Sequence, residues 1–282
     1  MSDGLVRCGS CFRACVLAPG QTGFCRARGE SAGAVAPLAY GRVTSIAVDP
    51  IEKKPIALWR PGTTVLSLGG YGCNLRCPWC QNAQISQAGE GEVVWREMAP
   101  DEVAALAARM GAEDARMQGV AYTYNEPLAA WEFVRDCARA VRERGLANVL
   151  VSAGCMSREV IAKVAPLIDA ANIDLKSFSE KTYRAIGGDL ASVKDCIRAL
   201  AAEPGCHLEV TTLIVPGVND TDDEMRAISS WLASVDPAIV LHVTRFHPSW
   251  RMRDAAPTPV ARVYALAELA RAELAHVFTG NC

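Results

Sequence analysis

The sequence predicts an α/β fold, in which a partial (β/α)6 barrel follows a cysteine-rich N-terminal extension. Three observations lead to this prediction: a length of 282 residues, an alternation of strand-like and helix-like segments from Thr64 onward, and a group of cysteines near the N-terminus. Such alternation is typical of parallel strands joined by right-handed crossovers. Six strand–helix units are too few for a closed eight-stranded barrel. A doubly wound sheet is the alternative that the same pattern allows.

The extension is predicted to occupy residues 1–60, and the barrel residues 61–282. Up to about Arg28 the extension is rich in cysteine and lacks helical periodicity. Residues 34–48 are expected to form a β-hairpin that turns near Gly41. The segment after it contains Pro50, Pro55 and Pro61, which predict an irregular path around the core.

The barrel is predicted from apolar runs that alternate with amphipathic segments. Strands are expected at residues 64–68, 119–124, 148–152, 171–175, 207–215 and 239–244, with a short last strand at 276–279. Helices are expected between them, at residues 100–110, 127–144, 157–167, 190–202, 222–233 and 259–274. Barrel enzymes gather their chemistry at the carboxyl ends of the strands, so polar residues there are candidate site residues.

Composition and charge exclude several classes of protein. The chain has 29 basic and 31 acidic side chains and a formal net charge of −2. This balance argues against a protein that binds nucleic acid or a membrane surface. Residues 1–7 lack the apolar core of a signal peptide, and no apolar run is long enough to span a bilayer. We therefore expect a soluble cytoplasmic protein with no nucleic-acid or membrane partner.

The compositional outlier is a count of twelve cysteines. In a reducing cytoplasm, grouped thiols indicate metal or redox chemistry rather than disulfide bonds. Five cysteines are dispersed and are assigned no role: Cys137, Cys155, Cys196, Cys206 and Cys282. Of these, Cys155, which follows the third strand, and the terminal Cys282 are candidates for reactive thiols, and the other three are expected to be structural.

Three cysteines directly follow the first predicted barrel strand. Cys73, Cys77 and Cys80 are separated by three and two residues, a spacing that lets three thiolates hold one cuboidal iron–sulfur cluster. Three ligands for four irons leave one iron open to a small molecule. The alternative is a zinc knuckle, but a structural zinc site needs a fourth ligand, and no further Cys or His lies nearby in sequence.

Four further cysteines lie in the extension: Cys8, Cys11, Cys15 and Cys25. Four soft ligands close either a tetrahedral zinc site or a second iron–sulfur cluster, and unliganded thiols are the third alternative. The expected role is structural, attaching the extension to the barrel. Electron relay is the second hypothesis.

Charged residues follow the predicted strands. Glu126 comes after the second strand, and Asp174 and Lys176 end the fourth. Because side chains alternate along a strand, Asp174 and Lys176 point the same way, as a ligand site at the barrel mouth requires. The structural alternatives are a helix-capping acid at Glu126 and an ion pair between the other two. His247 lies just past the sixth strand, where a hydrogen-bonded structural histidine is the alternative.

These motifs resemble the radical S-adenosylmethionine (SAM) superfamily. The three-cysteine loop, with the aromatic Trp79 before its last cysteine, is similar to the signature of that superfamily. Longer strings resemble the AmmeMemoRadiSam system radical SAM enzymes, relatives of the pyruvate formate-lyase activating enzymes. These strings are DPIEKKP at 49–55, GCNLRC at 72–77, CQN at 80–82, YTYNEP at 122–127 and RFHP at 245–248. The similarity covers essentially the whole chain.

The resemblance implies a TIM-like partial barrel of the radical SAM type. It also implies a 4Fe–4S cluster, held by Cys73, Cys77 and Cys80, whose open iron binds the amino and carboxylate groups of SAM. Reductive cleavage of SAM gives a 5′-deoxyadenosyl radical, which abstracts hydrogen from a protein or peptide substrate in activating enzymes. The implied partners are an electron donor and Memo-like and AMMECR-like proteins. The alternative from another class is a non-catalytic zinc or iron–sulfur binding or electron-transfer module.

The resemblance further implies roles for single residues in SAM binding. Glu126 is similar to the acid that holds the methionyl ammonium group, and His247 to a SAM-contacting histidine. Asp174 and Lys176 resemble the residues that contact the ribose and carboxylate. Trp79 is expected beside the cofactor.

The third strand end departs from the pattern of the relatives. Ser152 and Ala153 stand where threonine and asparagine are often found, so an amide contact from Ala153 is not expected and Ser152 is a weaker SAM-binding candidate. Residues 213–218 are expected to line the adenine pocket, with core packing as the alternative.

Overall fold

The computed structural model describes residues 4–282, and residues 1–3, part of the segment expected to lack a signal-peptide core, lie outside the described residues. The strands are β1 (Val6–Arg7), β2 (Val16–Leu17), β3 (Gly29–Ser31), β4 (Ala34–Ala36), β5 (Arg42–Val43), β6 (Ser45–Pro50), β7 (Thr64–Gly69), β8 (Arg96–Glu97), β9 (Met117–Tyr122), β10 (Ala147–Ser152), β11 (Ala170–Asp174), β12 (His207–Ile214), β13 (Val240–Arg245) and β14 (Val277–Gly280). The helices are α1 (Ala83–Ser86), α2 (Pro100–Glu113), α3 (Trp131–Glu143), α4 (Arg158–Val164), α5 (Glu180–Ala185), α6 (Leu190–Ala201), α7 (Asp222–Val235) and α8 (Val260–Arg271). None of the helices in residues 4–282 combines the length and hydrophobicity needed to cross a bilayer.

An eight-stranded sheet in the order β6-β7-β9-β10-β11-β12-β13-β14 forms the centre of the molecule. All neighbours in it are parallel except β6, which runs antiparallel to β7. The α/β prediction with a mostly parallel sheet is therefore confirmed, and the barrel strands lie within two residues of their predicted bounds. Lys53, which follows β6, and Thr279 of β14 line the same cavity, so the sheet curves into a partial barrel.

The hairpin predicted for residues 34–48 is wrong. Its first half, β4, pairs with β3, and its second half, β6, pairs over six residues with β7. Between them, Gly41 adopts a φ of +70° and β5 pairs with β8. The physical reason is that β7 would otherwise leave one edge of the sheet without hydrogen bonds, and β6 satisfies that edge. The domain boundary at residue 60 stays a prediction. β6 belongs to the predicted extension but is hydrogen bonded to β7, the first barrel strand, so this pairing does not separate the two parts.

Residues 51–63, between β6 and β7, form a segment that crosses the sheet. We call this segment the strap. Its only regular element is a 3₁₀ helix, Ile51–Lys53. Ile51 and Ile56 are fully buried in a small apolar cluster that includes Val65 and Val149. The irregular, core-covering path predicted from the prolines is therefore present.

The helices cover the outer face of the sheet with apolar stripes. In α3, for example, the buried positions recur at helical spacing: Phe133, Val134, Cys137, Ala138 and Val141. Serine, aspartate or threonine side chains accept N–H bonds at the first turns of α4, α5, α6 and α7. Each of these helices begins soon after a strand or loop at the carboxyl edge of the sheet and packs on the outer face. The carboxyl edge is therefore left open for a site.

Candidate active site

A cavity of about 570 Å³ opens at the carboxyl ends of the parallel strands. That volume lies in the range of sites for small ligands and cofactors. Eight of the nine residues predicted for catalysis or cofactor binding line it: Cys73, Cys77, Trp79, Cys80, Glu126, Ser152, Asp174 and Lys176. The structure thus brings together residues that lie on the loop after β7 and on three other strand ends.

The three-cysteine loop forms one wall of this cavity. Gly72, just before it, has a φ of +82°, which glycine adopts without steric cost. The Sγ of Cys73 accepts a hydrogen bond from the backbone N–H of Leu75 at 3.3 Å, and a turn joins the Cys80 N–H to the Cys77 carbonyl at 3.1 Å. All three cysteines line the same cavity.

Burial makes two of these thiols, those of Cys73 and Cys77, poor acids in the absence of a positive partner. It raises the pKa of the Cys77 thiol to about 11, and the Lys176 ammonium group opposes this rise. It also raises the pKa of Cys73 well above the usual value, with the negative charge of Glu126 adding to the effect. A bound metal supplies the positive charge that favours the thiolate forms.

The donor set fits an iron–sulfur cluster better than one metal ion. Among residues 4–282, no group of three or more Cys, His, Asp or Glu side chains is arranged to hold a single ion. A cuboidal cluster asks for a wider spacing, because each thiolate binds a different iron atom. Three soft sulfur donors beside an open cavity match that requirement, so Cys73, Cys77 and Cys80 are the residues that would hold the cluster.

Glu126 is buried and lies at the centre of a hydrogen-bond network. Its carboxylate accepts bonds from the backbone N–H of Leu128 at 3.0 Å, the hydroxyl of Ser152 at 2.9 Å and the backbone N–H of Ala153 at 2.9 Å. Ala153 has no side-chain amide to offer a ligand, and its backbone N–H is used within the protein, as a donor to Glu126. Burial raises the pKa of Glu126, and these three donors oppose the rise.

Asp174 and Lys176 face the cavity as an ion pair. The Lys176 Nζ lies 2.9 Å from the Asp174 Oδ2, so the ion pair that was the structural alternative is present. Both side chains also line the cavity, where a ligand can reach them. Burial disfavours the ammonium ion, but the carboxylate of Asp174 and the sulfur of Cys77 outweigh it and raise the pKa of Lys176. Lys176 therefore keeps its positive charge at neutral pH.

His247 is not among the residues that line the cavity. It is exposed, and its Nε2 lies 3.2 Å from the carbonyl oxygen of Asn281, which does line the cavity. The contact between His247 and SAM stays a prediction, and Asn281 lies between the imidazole ring and the cavity. Of residues 213–218, only Leu213 lines the cavity, and Val215 is fully buried beneath it.

Two charged networks beside the cavity were not predicted. In the first, Asp49 is buried and accepts bonds from Lys53 and Lys54 at 2.7 Å and from the hydroxyl of Tyr124 at 2.6 Å. Burial opposes ionisation of Asp49, but these donors hold its pKa well below the usual range. Tyr124 has a φ of +73° and lines the cavity. The signal available in sequence was the DPIEKKP string, which placed Asp49 and both lysines together.

The second network is built around Glu209 in the middle of β12. Its side chain is fully buried and accepts bonds from the backbone N–H groups of Ala57 at 2.9 Å and Leu58 at 2.8 Å, and from His207 at 2.8 Å. His242 is buried, lines the cavity and pairs with Glu209. The signal in sequence was an acidic residue inside a strand whose other side chains are uncharged or histidine.

The four extension cysteines lie at a separate place. Cys8, Cys11, Cys15 and Cys25 line one small cavity of about 20 Å³ between the extension and the three-cysteine loop. The dispersed Cys155 is fully buried, and burial raises its pKa, which argues against a reactive thiol there. Cys282 is exposed.

Comparison with known proteins adds independent findings. A family model described as the Radical SAM superfamily matches residues 67–232. An uncharacterized protein of Methanocaldococcus jannaschii is 38% identical over 283 residues, which cover 100% of this chain and 83% of that protein. Pyruvate formate-lyase 1-activating enzyme of Escherichia coli strain K12 is 24% identical over 178 residues, covering 62% of this chain and 71% of the enzyme. The fold is similar to that of a radical SAM methyltransferase from Sphaerobacter thermophilus, with a TM-score of 0.59 at 17% identity over 78% of this chain and 66% of that one.

Proposed function

We propose, from the premise that this chain belongs to the radical SAM superfamily, that it cleaves SAM reductively and abstracts hydrogen from a protein or peptide substrate. The observation that carries the proposal is the convergence of three thiols, a buried carboxylate and an ion pair on one cavity of about 570 Å³. Membership of the superfamily and distant similarity to activating enzymes support radical SAM chemistry in general. The substrate class is our proposal.

The chemistry comes from two groups that the chain would bind. A 4Fe–4S cluster together with SAM supplies one-electron cleavage of the sulfonium and so the 5′-deoxyadenosyl radical. The thiolates of Cys73, Cys77 and Cys80 would hold the cluster on the loop after β7. Glu126 and Lys176 line the same cavity and would bind the amino-acid end of SAM there.

Glu126 accepts a hydrogen bond from an N–H of the SAM amino group in this proposal. A carboxylate offers about four acceptor positions. Leu128 and Ala153 occupy one each, and the Ser152 hydroxyl, which lies 2.9 and 3.0 Å from the two carboxylate oxygens, has one hydrogen to donate to either of them. One position would therefore accept an N–H of the ligand, since Glu126 lines the cavity. Because the three protein donors fix the carboxylate beforehand, little conformational entropy is lost when SAM binds. Ser152 and Ala153 are therefore positioning residues.

Lys176 and Asp174 bind the other polar groups of SAM. The ammonium ion of Lys176 attracts the carboxylate of SAM, and Asp174 accepts hydrogen bonds from the ribose hydroxyls. Their mutual pairing at 2.9 Å holds both side chains at the strand end before the ligand arrives. The buried apolar side chains of Leu75 and Trp79 exclude water from the same wall, which protects a reactive radical from side reactions.

The finer assignment rests on sequence strings. The DPIEKKP and YTYNEP strings support membership of the AmmeMemoRadiSam system enzymes and an activase-like reaction on a protein or peptide. That assignment implies three kinds of partner: an electron donor, Memo-like proteins and AMMECR-like proteins. Twelve cysteines without a disulfide among the described residues suit the reducing cytoplasm, where we place the protein. Co-purification of Memo-like or AMMECR-like proteins with the tagged chain tests the partner assignment.

The SAM-dependent step is tested by spectroscopy. After anaerobic reconstitution with iron and sulfide, the protein is expected to absorb broadly in the visible range, and addition of SAM is expected to change the electron paramagnetic resonance (EPR) spectrum of the reduced cluster. A cluster whose EPR spectrum does not change when SAM is added would favour the non-catalytic electron-transfer alternative. A colourless protein that holds only zinc would contradict the proposal.

The substrate class is tested by isotope transfer. Turnover is run with a perdeuterated partner protein or peptide and, in parallel, with deuterated small metabolites. Deuterium in 5′-deoxyadenosine from the protein arm supports a protein or peptide substrate. Deuterium only from a metabolite would contradict that part of the proposal while leaving SAM cleavage intact.

A further inference from the structure

The extension cysteines are not used by the proposed radical SAM site, yet they converge. Pairing of β1 with β2, including a bond from the Cys8 N–H to the Cys15 carbonyl at 2.8 Å, brings two distant thiols together. Cys11 and Cys25 complete the lining of the cavity of about 20 Å³. A cavity of that size has room for about one water-sized group. Four thiols around such a space are a donor set without a ligand assigned to it.

Arg28 gives a second, independent sign of a negatively charged group in that cavity. Its side chain lines the cavity and is only 6% exposed. Two guanidinium nitrogens pair with Glu132 of α3 at 2.7 Å, but within residues 4–282 its Nε has no hydrogen-bond partner. A buried N–H without a partner is costly, and a cluster of thiolates beside it would satisfy it.

Burial raises the pKa of the Cys11 thiol to about 11 and also raises the pKa of the Cys25 thiol, and backbone N–H groups oppose that rise. Those of Ala27 and Arg28 hydrogen bond towards the sulfur of Cys25, and that of Arg13 towards the sulfur of Cys11. N–H groups that follow a cysteine in sequence and turn back on its sulfur stabilise negative charge on that atom. The same arrangement occurs at Cys73 in the three-cysteine loop.

We propose that Cys8, Cys11, Cys15 and Cys25 form a second metal centre, in which four thiolates hold a thiophilic metal group beside Arg28. The group is either a zinc ion or an iron–sulfur cluster, since both take four thiolates. A zinc ion requires the thiols to rotate inward onto one point, because they are not yet arranged around a single ion. An iron–sulfur cluster spans a wider ring of thiols, so it requires them to move apart from a cavity of about 20 Å³. With either group the centre is anionic, and the Arg28 guanidinium offsets that charge.

This centre positions the catalytic loop through the backbone of Cys25. The carbonyl of Cys25 accepts the N–H of Cys73 at 3.1 Å. A Cβ on Gly72 would lie 2.4 Å from that same oxygen, so the two backbones are in direct contact. The guanidinium of Arg76 also donates to the carbonyl of Phe24. A metal that fixes Cys25 therefore fixes one side of the loop that carries the catalytic thiols, and this second claim rests on the proposed function.

The metal is tested in a protein that lacks the catalytic thiols. The Cys73→Ala/Cys77→Ala/Cys80→Ala variant is purified anaerobically from medium that contains zinc and iron, and its zinc, iron and sulfide are counted per chain. About one zinc, or iron with matching sulfide and visible absorption, supports the centre and distinguishes the two groups. Further substitution with Cys8→Ser/Cys15→Ser is expected to abolish that content. Absence of both metals, or content unchanged by the second substitution, overturns the proposal. Should the triple variant not fold, the same counts on Cys77→Ala replace it.

The positioning claim is tested with the catalytic thiols intact. Cys11→Ser/Cys15→Ser is compared with Cys282→Ser, which changes an exposed cysteine outside both groups. The double variant is expected to broaden or shift the EPR signal of the reduced 4Fe–4S cluster and to weaken SAM binding by about tenfold. Loss of the second metal without either change would overturn the positioning claim. Failure of the proposed function would appear separately, as a wild-type protein that does not bind SAM.

Discussion

At the scale of single residues, Glu126 combines two roles that the sequence presented as alternatives. It accepts the N–H of Leu128 and so caps the short helix that follows it, and it also faces the cavity. Both roles follow from its position between the end of β9 and Pro127, where a helix start and a strand end coincide. Capping alone does not require a fully buried carboxylate with three donors, because half-buried serines cap other helices of this chain.

The ligand role of Glu126 predicts a specific effect of Glu126→Gln. The amide keeps the size of the side chain but removes the charged acceptor that binds the N–H of the SAM amino group, so the Kd for SAM is expected to rise about tenfold or more, equivalent to about 1.4 kcal/mol. Cluster absorbance should stay unchanged. Glu52→Gln is the matched control, since Glu52 lines the same cavity but is exposed. Equal Kd values for the two variants would remove Glu126 from the SAM site.

A second prediction at this scale concerns the close contact at Gly72. Gly72 and Gly33 have similar φ values, +82° and +81°, but a Cβ at Gly33 would meet nothing within 4 Å. Gly33→Ala is expected to cost about 1 kcal/mol of unfolding free energy, from the left-handed backbone alone. Gly72→Ala should cost about 3 kcal/mol or more, because backbone must move, and should lower the iron bound per chain.

Denaturant unfolding and iron analysis of the two glycine variants check this contact. Equal unfolding free energies would show that Gly72 tolerates a side chain. The contact with Cys25 would then not constrain the catalytic loop.

At the scale of elements, the strap is held across the sheet by one buried carboxylate. Glu209 of β12 accepts N–H bonds from Ala57 and Leu58, while His207 and His242 donate to the same group. Burial raises its pKa, but these donors outweigh burial and lower the pKa of Glu209 to about 2. The strap in turn brings Lys53 to the cavity, so this interaction links the core of the sheet to the mouth of the site.

This network predicts how stability depends on acid. A carboxyl group whose pKa is lowered on folding stabilises the fold above its unfolded pKa, and that contribution is lost as the pH falls through the folded value. For Glu209 the window lies between about pH 4.5 and pH 2. In that window the free energy of unfolding of the wild type is expected to fall by about 3 kcal/mol. Glu209→Gln is already less stable at pH 7 and is not expected to show this fall.

The measurement is unfolding free energy by urea against pH, on the wild type and on Glu209→Gln. Asp223→Asn is the control, since the side chain of Asp223 is 99% exposed. Parallel curves for Glu209→Gln and the wild type below pH 4.5 would show that the Glu209 network does not stabilise the fold.

Elements also show which parts of the fold follow from sequence. The parallel strands were predicted closely because each is a local apolar run of regular period. The hairpin at 34–48 failed because β6 pairs with β7, a partner set by the free edge of the sheet rather than by a local turn. The Glu209 network was missed for a similar reason, since Ala57 and His242 lie 152 and 33 positions away from it in sequence.

At the scale of the whole molecule, the strand-end rule explains why the site could be predicted at all. Cysteine spacing identified the loop after β7, and the carboxyl ends of parallel strands meet at one edge, so Ser152 and Asp174 had to lie near it. His247 shows the limit of that rule. It lies beyond the end of β13, where the chain turns outward and places Asn281 against the cavity instead.

The most direct test of the central claim is the formation of 5′-deoxyadenosine. Anaerobically reconstituted protein is mixed with SAM and dithionite, and the nucleoside is quantified over time. The account predicts steady formation by the wild type and by the control Cys206→Ala, whose cysteine lies outside both groups, and only background formation by Cys77→Ala. Formation by Cys77→Ala at the wild-type rate, or none by a wild-type protein that carries its cluster and binds SAM, would contradict the account.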